Sequence, residues 1–344
     1  FLYSYRWIFR AIFIVLILFG SVQTFQHKNK WWHLSALLSI CVISWLINYK
    51  MSADKMFLQA QNIKLKSQQD NKVPGSRLVV GLENNGEAKA YPIAFLAYHH
   101  QVQDSLGGKP ILITYCSVCR SGRVFEPIVE GQYVKFRLVG MDHFNAMFED
   151  DATGSWWRQS TGEAIAGKLK GQDLPELLCR QMTVDMWYRL YPYGKVMQPD
   201  EIFIASYDSL AKFELGKSKS LLTRTDTLSW KNKSWVVGVS IGNASKAYDW
   251  NDLKRKRIIN DTIGKMALVL ALSSDGQSIA AFERPVYATF TIHRDTLFSG
   301  GVAFDFSGQD LQIPSNKLKP VKAYQEFWHS WVTFQANTQK YVDK

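Results

Sequence analysis

The segment Tyr115-Cys116-Ser117-Val118-Cys119-Arg120 carries the most specific chemistry in this sequence. Two cysteines separated by two residues can be aimed at one point by a tight turn. That suits a metal knuckle, a dithiol that cycles with a disulfide, or an inert pair that staples the turn. They follow the apolar run at 110–115 and precede the strand-like residues 123–126, which puts the pair in a turn between strands. Thioredoxin-type centres instead place such a pair at a helix N-terminus, where the macrodipole favours a thiolate. Covalent c-type haem attachment needs His after the second cysteine; Arg120 stands there, so no c-type haem is expected.

A metal needs further ligands. Helical spacing puts His99 on the same apolar face as Phe95, Leu96 and Val102, pointing inward. His143, in Met141-Asp142-His143-Phe144-Asn145, follows a strand ending at Val139 and can approach the same place, while His100 fits less well. The candidate metal ligands are therefore Cys116, Cys119, His99 and His143. Thiolate with imidazole suits zinc or copper, and thiolates favour Cu(I) among the copper states. The competing reading of His99 is a hydrogen-bonded core histidine. Cys41 reads as a small apolar residue in an apolar segment and Cys179 as a lone buried thiol.

The stretches Ser155-Trp156-Trp157-Arg158-Gln159 and 161–167 join aromatic bulk to a glycine-punctuated polar turn, as in a pocket wall. Trp157, Gln159 and Glu163 are the candidate cofactor-binding residues there, although core packing accounts for the tryptophans equally well. Asp142, Glu149, Asp150 and Asp151 read as a solvated acidic run. No phosphate-loop glycine pattern, zinc-protease helix or serine nucleophile elbow occurs, so catalysis is left open.

Around these residues the pattern predicts an α+β, β-rich domain. Asn84-Asn85-Gly86 is a hairpin signal between two β-rich runs, and Pro92 opens a helix carrying Ile93, Phe95, Leu96 and Val102, which Gly107-Gly108 ends. Displacing the chain by 157 positions sets Val79-Val80-Gly81 on Val236-Val237-Gly238 and Lys89-Ala90-Tyr91 on Lys246-Ala247-Tyr248. Leu96, Asp104, Gly107, Ser117, Phe125 and Glu126 also meet identical residues. Two similar units are expected, with the chemistry in the first. In the second, Cys116 becomes Ser273, Cys119 becomes Gly276, His99 becomes Lys256 and His100 becomes Arg257. Near the end, Tyr324, Phe327, Trp328, Trp331 and Phe334 have the spacing of a docking helix.

The first fifty residues differ in kind. Residues 7–22 and 31–49 are apolar runs around a short polar loop at 26–30, with Trp31, Trp32 and Tyr49 placed like interface aromatics. They predict a transmembrane hairpin in contact with the lipid bilayer through residues 7–49. The chain opens at Phe1 inside an apolar segment, so further residues are expected before it. The expected organisation is an anchor at 1–50, a linker at 51–71, a first unit with its extension at 72–230, and a second unit with the aromatic helix at 231–344. The 344 residues are 47% hydrophobic and 21% charged, which excludes a disordered or low-complexity chain. The net charge of +11 is spread along the chain with no basic stripe, so no nucleic-acid partner is expected. Arg6, Arg10, Lys50 and Lys55 outside the hairpin against Lys28 and Lys30 within it favour a cytoplasmic main domain, whereas an additional preceding span reverses that.

These motifs resemble those of a bacterial family of domains of unknown function numbered 3179. The resemblance rests on Asn85-Gly86-Glu87-Ala88-Lys89-Ala90-Tyr91-Pro92, Tyr98-His99, Asp104, Thr114-Tyr115-Cys116 with Cys119, Asn145, Trp157 with Gln159, and 161–167. It covers about residues 72–200, and the aromatic segment 327–334 resembles the family's end. Where the family commonly has His-Glu, this chain has His99-His100, and His143 is not a family position. Members look exported or membrane-anchored, which implies an extracytoplasmic domain, against the charge count; with the two apolar runs, the expectation is a multi-pass protein of the inner (cytoplasmic) membrane with a periplasmic domain. The resulting expectation is an extracytoplasmic Cys/His site for a transition metal or thiol redox chemistry. The alternative is an accessory subunit of a membrane protein complex whose cysteines only staple a turn.

Overall fold

The N-terminal unit is helical and strongly apolar. The computed structural model describes residues 5–25 and 30–343 and divides into the units Phe1–Leu58 and Gln59–Lys344. Helix α1 is Arg6–Phe25; α2 is Lys30–Trp45 and runs on as one π-helical turn, Leu46–Lys50. Over Trp31–Lys50, 20 residues with none buried, the second helix is long and apolar enough to cross a membrane. Its hydroxyls turn back onto its own carbonyls, Ser35 Oγ to Trp32 O and Ser39 Oγ to Ser35 O, both at 2.8 Å. Of the two expected spans, one therefore reaches crossing length; the apolar part of α1, Trp7–Val22, is shorter. Residues 26–29, with the Lys28 of the charge count, lie outside the described residues, as do 1–4.

The second unit is mixed α and β, β-rich, and built on several small sheets. The expected linker contributes to it, since β1 (Leu65–Lys66) joins the first sheet. Asn85 and Gly86 take φ of 50° and 76°, the turn a tight two-residue hairpin requires, and join β2 (Leu78–Asn84) to β3 (Glu87–Pro92). Helix α3 (Ile93–His99) follows Pro92 directly. It stops at His100, φ 62°, whose N–H bonds Leu96 O at 2.7 Å, so Val102 lies in a strand and not in the helix. That strand, β4 (Gln101–Leu106), pairs along its length with β5 (Lys109–Cys116), and β5 pairs with β6 (Ser121–Phe125).

A four-stranded antiparallel sheet follows: β7 (Phe136–Asp142), β8 (Asn145–Asp150), β9 (Trp156–Arg158) and β10 (Ala164–Ala166). Then come β11 (Arg180–Thr183), α4 (Val184–Leu190), β12 (Lys195–Met197) and α5 (Ile204–Glu214). The first sheet has the order β1-β12-β3-β2-β11, with β12 parallel to β3.

From 235 onward the chain again forms a hairpin, a short helix and a three-stranded meander. The hairpin β13 (Trp235–Ile241) and β14 (Ala244–Asp249) leads into α6 (Trp250–Lys256), which Arg257 closes at φ 60°. A meander of β15 (Ile258–Ile263), β16 (Met266–Leu272) and β17 (Ile279–Glu283) follows. After β18 (Thr291–His293), β19 (Thr296–Ser299) and β20 (Val302–Phe304), the chain ends in β21 (Tyr324–Phe327), α7 (Trp328–Phe334) and β22 (Gln339–Lys340). Strand β21 lies antiparallel on β13 and β22 parallel on β14, as β11 lies on β2 and β12 on β3. Tyr324 and Phe327, expected on a helix, thus belong to a strand held by β13.

One contact accounts for the glycine shared by the two Val-Val-Gly segments. A Cβ on Gly81 would lie 2.4 Å from the buried Trp187 ring, and one on Gly238 would lie 2.2 Å from the buried Trp331 ring. A single buried cluster takes in residues of both halves, including Leu78, Trp187, Val236 and Trp331.

Candidate functional site

The strand β5 delivers Cys116 at its last position and β6 begins at Ser121, so the four residues between must reverse the chain. The reversal is tight enough to put Arg120 at φ 56° and brings both thiols, fully buried, to one carbonyl. Cys116 Sγ and Cys119 Sγ lie 3.5 and 3.4 Å from Phe144 O, at the tip of the β7–β8 hairpin. The two sulfurs differ in charge preference. The Cys119 thiol, together with the backbone N–H groups of Cys119, Ala146 and Val118, holds Cys116 below the ordinary thiol range against the opposing effect of burial. Cys119 is pushed up by that same bond and by burial. Arg120, also buried, donates to Gln325 Oε1 (3.1 Å), Phe213 O (3.1 Å) and Glu214 O (2.9 Å), and its guanidinium stacks 3.6 Å over Trp235. It clamps the cysteine turn to the end of α5.

The rest of the surround comes from far along the chain. Lys233 Nζ lies 2.7 Å from Val118 O, between the two cysteines, and 3.1 Å from His329 Nε2. Burial and the Lys233 charge push His329 down to about 4, leaving a neutral imidazole. The Ser330 hydroxyl and the Asn145 amide are within hydrogen-bond reach of the Cys119 sulfur, and Ser330 Oγ donates to Glu326 Oε2 at 3.0 Å. Phe327 N–H donates to Cys119 O at 3.0 Å.

The expected histidine ligands go elsewhere. His99 does point inward, but its Nε2 lies 2.6 Å from Tyr207 Oη and its ring packs against Phe203 on the α5 side. His143 points outward, with Nδ1 2.7 Å from Asp142 Oδ1 and its ring near Phe334. Backbone geometry decides this: His143, at φ 49°, is half of a tight hairpin turn whose carbonyl side faces the thiols. Among the described residues no group of three or more His, Cys, Asp and Glu side chains is placed to share a metal ion.

A family model described as a protein of unknown function (DUF3179) matches residues 60–338, nearly the whole second unit. The chain belongs to that family. No curated protein and no solved structure matches it.

Within this DUF3179 domain, the three residues expected to bind a cofactor have separate roles. Gln159 is buried and belongs to the thiol surround: its Oε1 accepts from Ser121 Oγ (2.8 Å) and Asn145 Nδ2 (2.9 Å), and its Nε2 donates to Thr114 Oγ1 (3.2 Å) and Ser121 O (3.1 Å). This network fixes Asn145 beneath Cys119. Trp157 donates to Asp150 Oδ2 at 2.8 Å and packs on Phe136. Glu163 pairs with Arg158, which also holds Asp142. Phe144, Lys233, His329 and Ser330 were not singled out from sequence. No local motif marks them, because each reaches the thiols only through the pairing of β7 with β8 or of β21 with β13.

Proposed function

We propose that Cys116 and Cys119 of this DUF3179 domain form a thiol–disulfide redox centre. The carrying observation is geometric: one tight turn sets both buried thiols on the same carbonyl, Phe144 O, at 3.5 and 3.4 Å. Exchange needs two sulfurs brought to one point and a thiolate as the nucleophile, and hydrogen bonds from Cys119 and neighbouring backbone N–H groups hold Cys116 below the ordinary thiol range. Both sulfurs are buried, so the β7–β8 hairpin tip at Phe144 must first move aside; Cys116, ionised, then attacks one sulfur of a substrate disulfide, forming a mixed disulfide and releasing the other substrate sulfur as a thiolate. Cys119 then gives up its proton and attacks Cys116 Sγ, closing the internal disulfide and releasing the second substrate thiolate. Two electrons pass to the substrate, and a dithiol reductant running the same steps backwards restores the pair. The engagement of His99 with Tyr207 and of His143 with Asp142 favours this reading over a zinc or copper site.

We place the centre outside the cytoplasm, in a multi-pass protein of the cytoplasmic membrane. The family resemblance supports the side, and oxidising compartments permit the chemistry. The apolar α1 supports a second span, since Arg10, the charge within it, donates to Asn48 of the neighbouring helical stretch at 2.8 Å. We also read the two halves as copies of one unit, on the matching order of elements and the shared glycine–tryptophan contacts.

The test is thiol counting by mass spectrometry on the full chain in detergent, alternately oxidised and reduced, beside elemental analysis. Reversible loss of two hydrogens, abolished by Cys116→Ser or Cys119→Ser, is expected. Stoichiometric zinc or copper that the double variant loses would replace redox with metal binding. An unreactive, metal-free pair would leave an accessory subunit of a membrane complex.

A further inference from the structure

Two tryptophans of the second half meet at nearly a right angle. Trp230 and Trp328 have ring centroids 5.1 Å apart and planes at 83°, and Lys340 Nζ sits over both, 4.8 Å from the Trp230 ring and 5.0 Å from that of Trp328. Both indoles are half-buried and pack on the core, while Lys340 is exposed. Among the described residues the Lys340 ammonium has no hydrogen bond and no ion pair, so the two ring faces are what it rests on. Each wall is fixed by backbone. Trp328 opens α7, and its N–H donates to Ser234 O at 2.8 Å. Trp230 stands at φ 62°, a conformation that a bulky side chain rarely adopts, just before a turn closed by Ser234 N–H on Lys231 O at 2.9 Å and Lys231 N–H on Ser234 Oγ at 2.8 Å.

Hydrogen bonding identifies which residues hold the same places in the first half. Val184 N–H donates to Arg77 O as Trp328 N–H does to Ser234 O, and Arg77 N–H donates to Pro74 O as Ser234 N–H does to Lys231 O. The residue before that turn is Val73 in the first half and Trp230 in the second. Val196 pairs with Ala90 on β3 as Lys340 pairs with Ala247 on β14. Val73, Val184 and Val196 are all buried in the core. Where one half closes with three valines, the other has two aromatic walls and a cation that reaches solvent.

We propose that Trp230 and Trp328 form an aromatic cage for a quaternary ammonium group, with Lys340 as the resident cation that such a ligand displaces. A cation over an indole face is attracted by the ring quadrupole. A primary ammonium also carries three N–H donors, and here none of them bonds to a described residue. A trimethylammonium group has no N–H to satisfy and sets its methyls against both rings, so it gives up less on leaving water. Lys340 can swing out without releasing the strand. Tyr341 N–H donates to Ala247 O at 2.8 Å, the Tyr341 ring packs on Tyr248, and Asp343 pairs with Lys256.

The experiment is calorimetric titration of choline, with ethanolamine beside it, into the full chain in maltoside micelles. Choline is expected to bind, and to bind Lys340→Ala about two- to fivefold tighter, the effect of removing an exposed cation–π competitor. Ethanolamine is expected to bind about tenfold weaker than choline, and Trp230→Leu to abolish choline binding. Absence of choline binding to folded Lys340→Ala overturns the proposal, as does ethanolamine binding as tightly as choline or undiminished binding to Trp230→Leu. Titrations in phosphatidylcholine and phosphatidylglycerol nanodiscs separate the two sources of the group. Choline binding weakened only in phosphatidylcholine assigns the cage to a lipid headgroup, and equal binding in both assigns it to a soluble quaternary ammonium compound.

Discussion

Glu214 gives the sharpest pH dependence in the fold. It ends α5 and is 3% exposed; its Oε1 accepts from Ala94 N–H at 2.9 Å and its Oε2 lies 2.7 Å from Arg77 Nε. Burial outweighs Arg77 and the N–H and pushes its carboxyl up to about 7. Between the unfolded value of 4.5 and about 7, the folded protein therefore holds a proton that the unfolded chain has released. Stability must fall as pH rises through that window and level off above it. The gap, at about 1.36 kcal/mol per pH unit, amounts to about 3 kcal/mol.

Glu214→Gln keeps an acceptor for Ala94 N–H and cannot ionise, while Arg77, about one-fifth exposed, can turn to water. The variant should match the wild type near pH 5 and exceed it by about 2–3 kcal/mol at pH 8, roughly 5 °C in Tm for a domain of this size. Thermal melts of the full chain in detergent from pH 5 to 8.5, followed by near-UV circular dichroism, read this directly. A glutamine variant whose Tm declines with pH as steeply as the wild type would refute the assignment of the slope to Glu214.

Other expectations follow from single contacts. Gly81→Ala and Gly238→Ala drive a methyl into the buried Trp187 and Trp331 rings, and each should cost at least the ~1–3 kcal/mol of ordinary overpacking; Gly86→Ala, at φ 76° with open space around it, should cost only the ~1–2 kcal/mol of a left-handed residue, so thermal melts that rank them equally would contradict the packing. His99→Gln should lower stability by about 1–2 kcal/mol through the lost Tyr207 bond yet leave the Cys116 titration unmoved; a shifted titration would return His99 to the site. Ile40→Lys, in the middle of the crossing-length helix, should weaken membrane insertion by about 3 kcal/mol, and full resistance to alkaline extraction in that variant would count against a membrane role for Trp31–Lys50.

How far the sequence could be read depended on the range of the interaction. Asn85-Gly86, Pro92 and the turn placing Cys116 beside Cys119 are local facts, and local stereochemistry was enough. The inward direction of His99 was also legible, because it follows from helical spacing alone. What it faces was not: Tyr207 arrives on a helix more than a hundred residues later. Val102 fits both the helical spacing from Ile93 and the alternation of β4, and the strand won because β5 pairs with it from end to end. Tyr324 and Phe327 likewise suit a helix by spacing, but β13 presents an edge for them to pair with.

The same distinction explains why half of the thiol surround lay out of sight. A cysteine pair can be recognised by its spacing, whereas the groups that tune it need only arrive in space. Lys233 and His329 arrive through β13, β21 and α7, a framework whose matching elements in the first half carry no such groups. The glycine–tryptophan contacts of the two halves, Gly81 with Trp187 and Gly238 with Trp331, are made by other residues than those around the thiols. The thiols lie in the first half and Lys233, bonded to the peptide between them, in the second. Arg120 ties the cysteine turn to Gln325 and to the end of α5, so changes at that seam should reach the thiols before they reach the strands.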